Sequence, residues 1–314
     1  MLLYTLQRLA LAALTVLVAV AIMFGMLHLV PGDPASIALG PRATPDMVAE
    51  FRQRLGLDDP LSLQFLHFLG NVARGDLGID IWTHASVADM VMRELPHTMA
   101  LTAFGLGWAV LVGIPLGCFS AIRRDSWLDR LTGVLSVSVI AVPGFIVAIY
   151  SLLVFAVWLR WLPAIGAGRA GDLGDEIVHL VLPCFALGLG WVGYLARLVR
   201  ASMLEVLGEP HIRTARAFGL PRWRIVYHYA LKLAILPTVT LLGSGIGRLL
   251  SGAVFVEIVF TRPGVGRLVY DAVVQRNYPV VMGAVVITAA LFVLSTLAAD
   301  LAVAALDPRV RDRL

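Results

Sequence analysis

The chain has 314 residues, of which 59% are apolar and 15% are charged, and its formal net charge is +4. Soluble domains are about 45 to 50% apolar and about 25% charged, so this composition excludes a disordered chain and an ordinary water-soluble domain. The basic residues lie in short segments between apolar runs, which excludes a nucleic-acid-binding protein. A lipid bilayer is therefore the expected solvent for most of the chain.

Six apolar stretches are long enough to cross about 30 Å of hydrocarbon as helices. They are residues 9 to 30, 99 to 122, 131 to 159, 177 to 196, 233 to 256 and 280 to 306. Lipid offers the backbone no hydrogen-bond partner, so each stretch is predicted to be helical. The first is too long for a signal peptide core and lacks a small-residue cleavage site, so we expect an uncleaved span. The sequence thus predicts an all-α polytopic membrane protein with six transmembrane helices.

The distribution of arginines predicts the orientation of these helices. With the amino terminus inside, the cytoplasmic segments hold 14 basic and 6 acidic residues, and the external segments hold 10 basic and 14 acidic residues. Cytoplasmic loops are enriched in Lys and Arg, so this arrangement is favoured over its inverse. Both termini are therefore predicted to lie in the cytoplasm (N-in/C-in), and residues 31 to 98 outside it.

The external segment 31 to 98 is predicted to contain two short helices. Thr44 is a suitable N-cap, Pro45 a first helical residue and Gly56 a stop, and a second amphipathic run extends from Leu63 to Val72. Such a helical cap fits either a platform for a partner, or a passive lid. As a platform, it would present acids such as Asp58, Asp59 and Asp80.

The internal loop 197 to 232 has a more specific pattern. Residues 210 to 217 are predicted to form a helix that Gly219 and Pro221 terminate, and residues 222 to 231 a second helix that leads straight into the fifth span. The small residues Ala215 and Ala217 lie among arginines. This pattern fits a helix that docks in a groove of another protein, and it also fits an interfacial helix on anionic lipid.

Several catalytic functions are excluded. A phosphate-binding loop needs a lysine after glycine, and the only lysine, Lys232, lies between leucines. There is no H-E-x-x-H or G-x-S-x-G motif, and no histidine lies centrally in a span to serve Ser244 as a base. Cys118 and Cys184 lie inside apolar stretches, where packing is the expected role. We expect no catalytic residue, no bound cofactor and no metal site.

The fifth span contains a charged residue, Arg248, and the glycines Gly243, Gly247 and Gly252. A charge within the bilayer is costly and must face protein, water or a counter-ion. Arg248 therefore either lines a solute pathway, or satisfies carbonyl groups in a structural role. The glycines permit close helix packing.

Motifs along the whole chain resemble those of one family. They are Val30-Pro31-Gly32-Asp33-Pro34, Gly75-Asp76-Leu77-Gly78, the inner loop from Ile212 to Leu220, Gly252-Ala253-Val254-Phe255-Val256-Glu257, Pro263-Gly264-Val265-Gly266, Arg276-Asn277-Tyr278-Pro279 and Asp307-Pro308-Arg309. In this order they are similar to the membrane permease subunits of the dipeptide/oligopeptide/nickel group of ATP-binding-cassette (ABC) importers. Phe218 stands where that group leads us to expect lysine, and Asn277 where it leads us to expect aspartate.

The resemblance implies a type I ABC importer permease fold in a bacterial inner membrane. The implied partners are a second homologous permease, two ATPases that bind ATP and Mg²⁺, and an external solute-binding protein. The implied coupling residues, which would contact an ATPase, are Arg213, Thr214, Ala215, Arg216, Ala217, Phe218, Gly219 and Leu220. Arg248 and Glu257 are the candidates for the solute pathway.

These expectations divide the chain into functional regions. The regions are a first transmembrane helix (1–30), an external cap (31–98), a five-helix permease core (99–306) that contains the coupling loop (197–232), and a cytoplasmic tail (307–314). The expected role is an ATP-driven importer subunit for peptides. A nickel or other metal chelate is the alternative solute, and a stand-alone secondary transporter is the alternative mechanism.

Overall fold

A computed structural model describes residues 2–29, 44–54 and 58–306 of the chain. These residues form helices and contain no β-strand, only an isolated antiparallel bridge between Ile79 and Ser86. The first seven helices are α1 (Leu2–Leu29), α2 (Pro45–Arg54), α3 (Leu61–Ala73), α4 (Val87–Ile122), α5 (Trp127–Ala141), α6 (Gly144–Ser151) and α7 (Leu173–Leu207). The others are α8 (Pro210–Ala217), α9 (Arg222–Arg224), α10 (Leu231–Ala234), α11 (Leu236–Val259), α12 (Val265–Val274) and α13 (Tyr278–Leu306). The predicted all-α class is confirmed.

Four helices of the described residues are long and apolar enough to cross a membrane, and two bent helix pairs raise the number to as many as six. The predicted third span, 131 to 159, is not one continuous helix: α5 and α6 meet at an angle of 99°. Val142 has an extended backbone (φ −89°, ψ 121°) because the residue before a proline avoids the helical region, and Pro143 follows. The α6 helix then continues as a π-helix, Leu152–Trp158.

The inner loop also differs from the expectation of a straight entry into the fifth span. The path from Arg222 to Ala234 contains a π-helix, Ile225–Ala230, and it is bent by 43° from the start of α11. At the other end of this loop, α7 extends to Leu207, so 11 residues assigned to the loop belong to the preceding helix. The short helix α8 has the predicted bounds, with Pro210 in its first turn and Gly219 at φ +72° beyond its end.

The chain divides into two compact units. The amino-terminal unit contains Leu2–His97 with Gly264–Leu294, and the core unit contains Thr98–Pro263 with the described residues from Ser295 onward. In the amino-terminal unit, Phe24 of α1 contacts Phe65 and Phe68 of α3, with ring centroids 5.2 and 6.5 Å apart. The regions inferred from the sequence, with limits at residues 30, 98 and 306, remain a prediction.

The two cap helices of the amino-terminal unit follow the local sequence signals. The amide of Met47 donates to Thr44 Oγ1 at 3.4 Å, as expected of an N-cap, and α3 contains the predicted run. The predicted stop at Gly56 and the cytoplasmic tail 307–314 lie outside the described residues. The helix α12 was not predicted, and it lies between the fifth and sixth predicted spans, in a segment expected to be external.

One of the three cap acids is not available to a partner. Asp80 is only 3% exposed, whereas Asp58 is exposed and pairs with Arg52 at 2.9 Å. The Asp80 carboxylate accepts hydrogen bonds from the side chains of Thr83 and Asn277, and from the amide of Thr83 at 3.0 Å. Burial raises the pKa of Asp80, but these hydrogen bonds outweigh it and hold the pKa below its ordinary value. Asp80 therefore joins two segments of its own unit.

In the core unit, α7 is the central helix and packs against α5, α6 and α11. Close approach depends on glycine: a Cβ at Gly193 would lie 2.6 Å from Val139 Cγ2 and 2.7 Å from the carbonyl oxygen of Ser136. The α7 helix also approaches α4 at Gly113, where a Cβ would lie 2.9 Å from Leu195 Cβ. This packing positions both the inner loop and the cavity described below.

Candidate functional site

The helix α8 has one face packed on its own chain and one face free in the described structure. Ile212 is fully buried and Ala215 is 7% exposed, and both join a core with Met203 and Val226. Ala215 therefore does not belong to an outward small-residue face, contrary to the sequence analysis. A large side chain at position 215 would therefore disrupt this core.

The exposed side of α8 is formed by a different set of residues. The predicted coupling residues that are exposed are Arg213, Thr214, Arg216, Ala217, Phe218 and Gly219, and Leu220 is half-buried. Phe218 is 82% exposed. A large aromatic side chain held outside the membrane-spanning helices is suited to an apolar pocket of another subunit. The chain that follows α8 is bound to the end of α4, because Arg222 Nη2 donates a hydrogen bond to the carbonyl oxygen of Ile122 at 3.1 Å.

A cavity of about 380 Å³ lies among α5, α6, α7 and α11 in the core unit. Arg248 lines it, and its aromatic lining residues are Phe145, Trp191, Tyr194 and Phe255. The guanidinium of Arg248 is exposed and forms no hydrogen bond or ion pair within the described part of the chain. The Phe145 and Phe255 rings are 6.0 Å apart, and the Trp191 and Tyr194 rings 6.1 Å. An unpaired cation beside aromatic walls suits a solute with a carboxylate and apolar groups.

Glu257 does not line this cavity. It is fully buried, and its Oε1 accepts a hydrogen bond from Thr98 Oγ1 at 2.6 Å. This bond joins α11 to α4. Of the two pathway candidates, only Arg248 therefore faces open space.

The glycines of α11 keep this helix close to α7. Gly243 is buried and Gly247 is half-buried, and a Cβ at Gly252 would lie 3.3 Å from Leu187 Cδ1. Gly245 is packed more tightly than Gly252, because a Cβ at Gly245 would overlap the Trp191 ring. Gly245 was not predicted as a packing position, because its neighbours Ser244 and Ile246 give no signal of the aromatic ring opposite.

Two family profiles match the chain. "Binding-protein-dependent transport system inner membrane component" matches residues 113–312, and the corresponding amino-terminal profile matches residues 1–102. The chain belongs to this family. The permease is thus a multi-pass inner-membrane protein and a non-catalytic subunit of an ABC importer, which excludes the alternative of a stand-alone secondary transporter.

Two named relatives are similar to the permease over nearly its full length. Glutathione transport system permease protein GsiC of Escherichia coli (strain K12) is 37% identical over 311 residues, which cover 99% of each chain. Probable peptide ABC transporter permease protein y4tP of Sinorhizobium fredii (strain NBRC 101917 / NGR234) is 37% identical over 310 residues, covering 98% of the permease and 99% of the relative.

The fold is that of a solved ABC importer. Two inward-facing structures of the MetNI methionine ABC transporter align with TM-scores of 0.58 and 0.59, at 20% and 21% identity. Each alignment covers 69% of the permease and 96% of the solved chain. The permease therefore has the fold of an ABC importer membrane subunit.

A buried ion pair in the permease was not recognised in the sequence. Asp129 at the start of α5 is 4% exposed and pairs with Arg200 of α7 through two bonds, Nε to Oδ1 at 2.6 Å and Nη2 to Oδ2 at 2.8 Å. Ser120 of α4 also donates to Asp129 Oδ1. This network joins three helices next to the inner loop. The residues are 9 and 71 positions apart, so no local spacing indicated it.

Proposed function

We propose that the permease forms one half of a transmembrane pathway for short peptides. The observation that carries this proposal is the cavity of the core unit, in which the unpaired Arg248 faces aromatic side chains. A linear peptide with a free carboxyl terminus has a carboxylate, and a guanidinium compensates part of the cost of moving that charge through a low-dielectric channel. The names of the full-length relatives, which refer to glutathione and peptide transport, support the same solute class.

The proposal requires partners. A second homologous permease would form the other half of the pathway, and two ATPases that bind ATP and Mg²⁺ would dock on the exposed side of α8. An external binding protein would deliver the solute to the cap. The exposure of Phe218 beside α8 supports the ATPase contact, because burial of an exposed aromatic side chain by a partner lowers the free energy of the complex.

Reconstitution tests this function. The permease is co-expressed with two ATPases, a second permease and a binding protein, and uptake into proteoliposomes is measured for a labelled dipeptide, glutathione and a nickel–histidine chelate. We expect saturable peptide uptake that requires ATP and is lost when the phosphate-binding lysine of the ATPases is replaced. Uptake of the chelate alone would establish the alternative solute, and uptake without ATPases would contradict the coupled mechanism.

A further inference from the structure

A second cavity, of about 330 Å³, lies between the start of α5 and α7, apart from the cavity that contains Arg248. At Gly193 the two helices are in close contact, but at Gly133 no heavy atom lies within 4 Å of where a Cβ would stand. The helices thus leave an open groove between the Gly193 contact and the Asp129–Arg200 ion pair. Ala196, 1% exposed, also lines this groove.

Three arginines and two aspartates line the groove: Arg130, Arg197, Arg200, Asp125 and Asp129. Two of the arginines keep an uncompensated charge. Asp129 neutralises Arg200 through the two bonds given above, and Asp125 pairs with Arg124 at 3.3 Å. The side chains of Arg130 and Arg197 are exposed, and their guanidinium groups make no hydrogen bond or ion pair with any described residue. The groove therefore presents two free guanidinium groups.

The surroundings of the groove are those of a helix that faces lipid at a membrane boundary. Trp127, one turn before Arg130, is 70% exposed, and tryptophan is enriched where hydrocarbon meets water. Beyond the arginines, α5 exposes Val134 (64%), Leu135 (53%) and Val137 (54%). A cationic groove continuous with an apolar surface matches a molecule with an anionic head and an apolar tail.

We propose that this groove binds the headgroup of an anionic phospholipid. Arg130 and Arg197 would bind the phosphate oxygens, since guanidinium groups form charge-assisted hydrogen bonds with phosphate. The acyl chains would lie along the exposed apolar face of α5. Basic pockets between transmembrane helices bind such headgroups in other membrane proteins. The predicted topology places the groove in the cytoplasmic leaflet, but lipid binding to it can be measured independently of peptide transport.

Lipid titration of the assembled, delipidated transporter, followed by native mass spectrometry, tests the proposal. Phosphatidylglycerol and phosphatidylcholine are compared on the wild type and on the double variant Arg130→Gln/Arg197→Gln. A basic residue near an anionic lipid contributes about a five-fold gain in affinity. We therefore expect the double variant to bind phosphatidylglycerol about 25-fold more weakly, with phosphatidylcholine binding unchanged.

The matched control is Arg123→Gln/Arg224→Gln. These two arginines are also exposed and on the predicted cytoplasmic side, but they contact Phe119 and Trp223 and do not line the groove. We expect less than about a three-fold loss of affinity for this variant. An equal loss in both double variants would overturn the proposal.

Two further arms separate the lipid from other occupants. Displacement of phosphatidylglycerol by millimolar inorganic phosphate would show a site for a free anion and would overturn the lipid assignment. Phosphatidylglycerol could also bind to Arg130 and Arg197 in the isolated permease but not in the assembled transporter. That result would show that a protein subunit fills the groove, and it would also overturn the lipid assignment. Retention in the complex at high phosphate is the expected result.

Discussion

A carboxylate and a carboxamide meet in the interior of the amino-terminal unit, where Asn277 donates a hydrogen bond to Asp80. An aspartate at position 277, which the family resemblance led us to expect, would place two carboxylates in contact. Two buried carboxylates at that distance cannot both ionise without a large cost. The asparagine is therefore the physical counterpart of Asp80.

We expect Asn277→Asp to lower the free energy of unfolding by about 2 kcal/mol at pH 7, through the lost donor and the like charges. The two carboxyl groups would share a proton, so one pKa would rise above its unfolded value of about 4. The folded variant would then bind a proton that the unfolded chain releases, and its stability would fall as the pH rises through 5 to 7. Thermal unfolding in detergent at pH 5 and pH 7 measures this effect.

The exchange variant Asp80→Asn/Asn277→Asp is the control, because it restores one carboxylate and one carboxamide. It should recover most of the stability at pH 7. The wild type has the opposite dependence: with a lowered pKa, Asp80 stabilises the fold above pH 4, and this contribution is lost as the pH falls below that value. An equal loss for Asn277→Asp at both pH values would contradict the shared-proton explanation.

Arg248 is the second residue whose charge is testable. Arg248→Leu should lower peptide uptake per assembled complex at least about tenfold, because a charge-assisted hydrogen bond to the solute carboxylate is lost. Arg248→Lys keeps the charge and should retain part of the uptake. Arg224→Leu removes a cation outside the cavity and should transport normally. Wild-type flux in Arg248→Leu would remove Arg248 from the mechanism.

At the scale of elements, helices with local end signals were predictable and a helix break was not. Pro210 and Gly219 gave the bounds of α8 correctly. Two prolines lie within predicted spans, yet Pro143 separates two helices and Pro183 lies inside the continuous α7. Both prolines lie in apolar sequence, so apolar character alone does not distinguish them. They differ in the backbone of the preceding residue, which is extended at Val142 and helical at Leu182. The length of the third span was therefore predictable from the sequence, but its bend was not.

The missed helix α12 did have a sequence signal. Val265, Leu268, Val269 and Ala272 follow the spacing of one helical face, and all four belong to the core of the amino-terminal unit. The segment was too short and polar to be considered as a span, and it was therefore assigned to a loop. A search for amphipathic helices outside the spans would have found it.

The exposed aromatic residue beside α8 is predicted to contribute to ATPase binding. Phe218→Ser should reduce ATPase binding to the permease about tenfold or more, because burying an aromatic side chain at an interface contributes about 1.5 to 3 kcal/mol. Trp223→Ser is the control, since Trp223 is also exposed (62%) and lies five residues away, beyond the end of α8. Co-purification of the ATPase and stimulated ATP hydrolysis measure the effect. Normal coupling in Phe218→Ser would contradict the docking surface.

At the scale of the whole molecule, the orientation in the membrane remains a prediction from charge. Cysteine labelling tests it with little background, because Cys118 and Cys184 are only 3% and 7% exposed. An impermeant maleimide applied to spheroplasts should modify Leu173→Cys, and it should modify Phe218→Cys only in inside-out vesicles. Both positions are highly exposed, 72% and 82%, so access to the sulfur is not limiting. The reverse pattern would invert the topology.

The location of the Arg248 cavity was easier to predict from the sequence than the other residues that line it. Arg248 stood out because a lone charge in an apolar run is costly, and its exposure in the cavity agrees with that signal. The aromatic walls come from α6, α7 and α11, and their side chains are ordinary in apolar segments. Only the packing of distant helices brings them together. Long-range assembly therefore determines the chemistry that a single sequence cannot show.

The bend at Val142 gives the Arg248 cavity an electrical polarity. A helix that ends leaves carbonyl oxygens without intrahelical partners and a partial negative charge of about half an electron. The α5 helix ends at this bend, and Val142, Pro143 and Arg248 all line the cavity. The α6 helix begins at Gly144, which also lines the cavity. A single space thus contains the negative end of one helix, the positive end of the next and a fixed cation. A zwitterion, with an ammonium group at one end and a carboxylate at the other, has a counterpart for each of its charges in such a space.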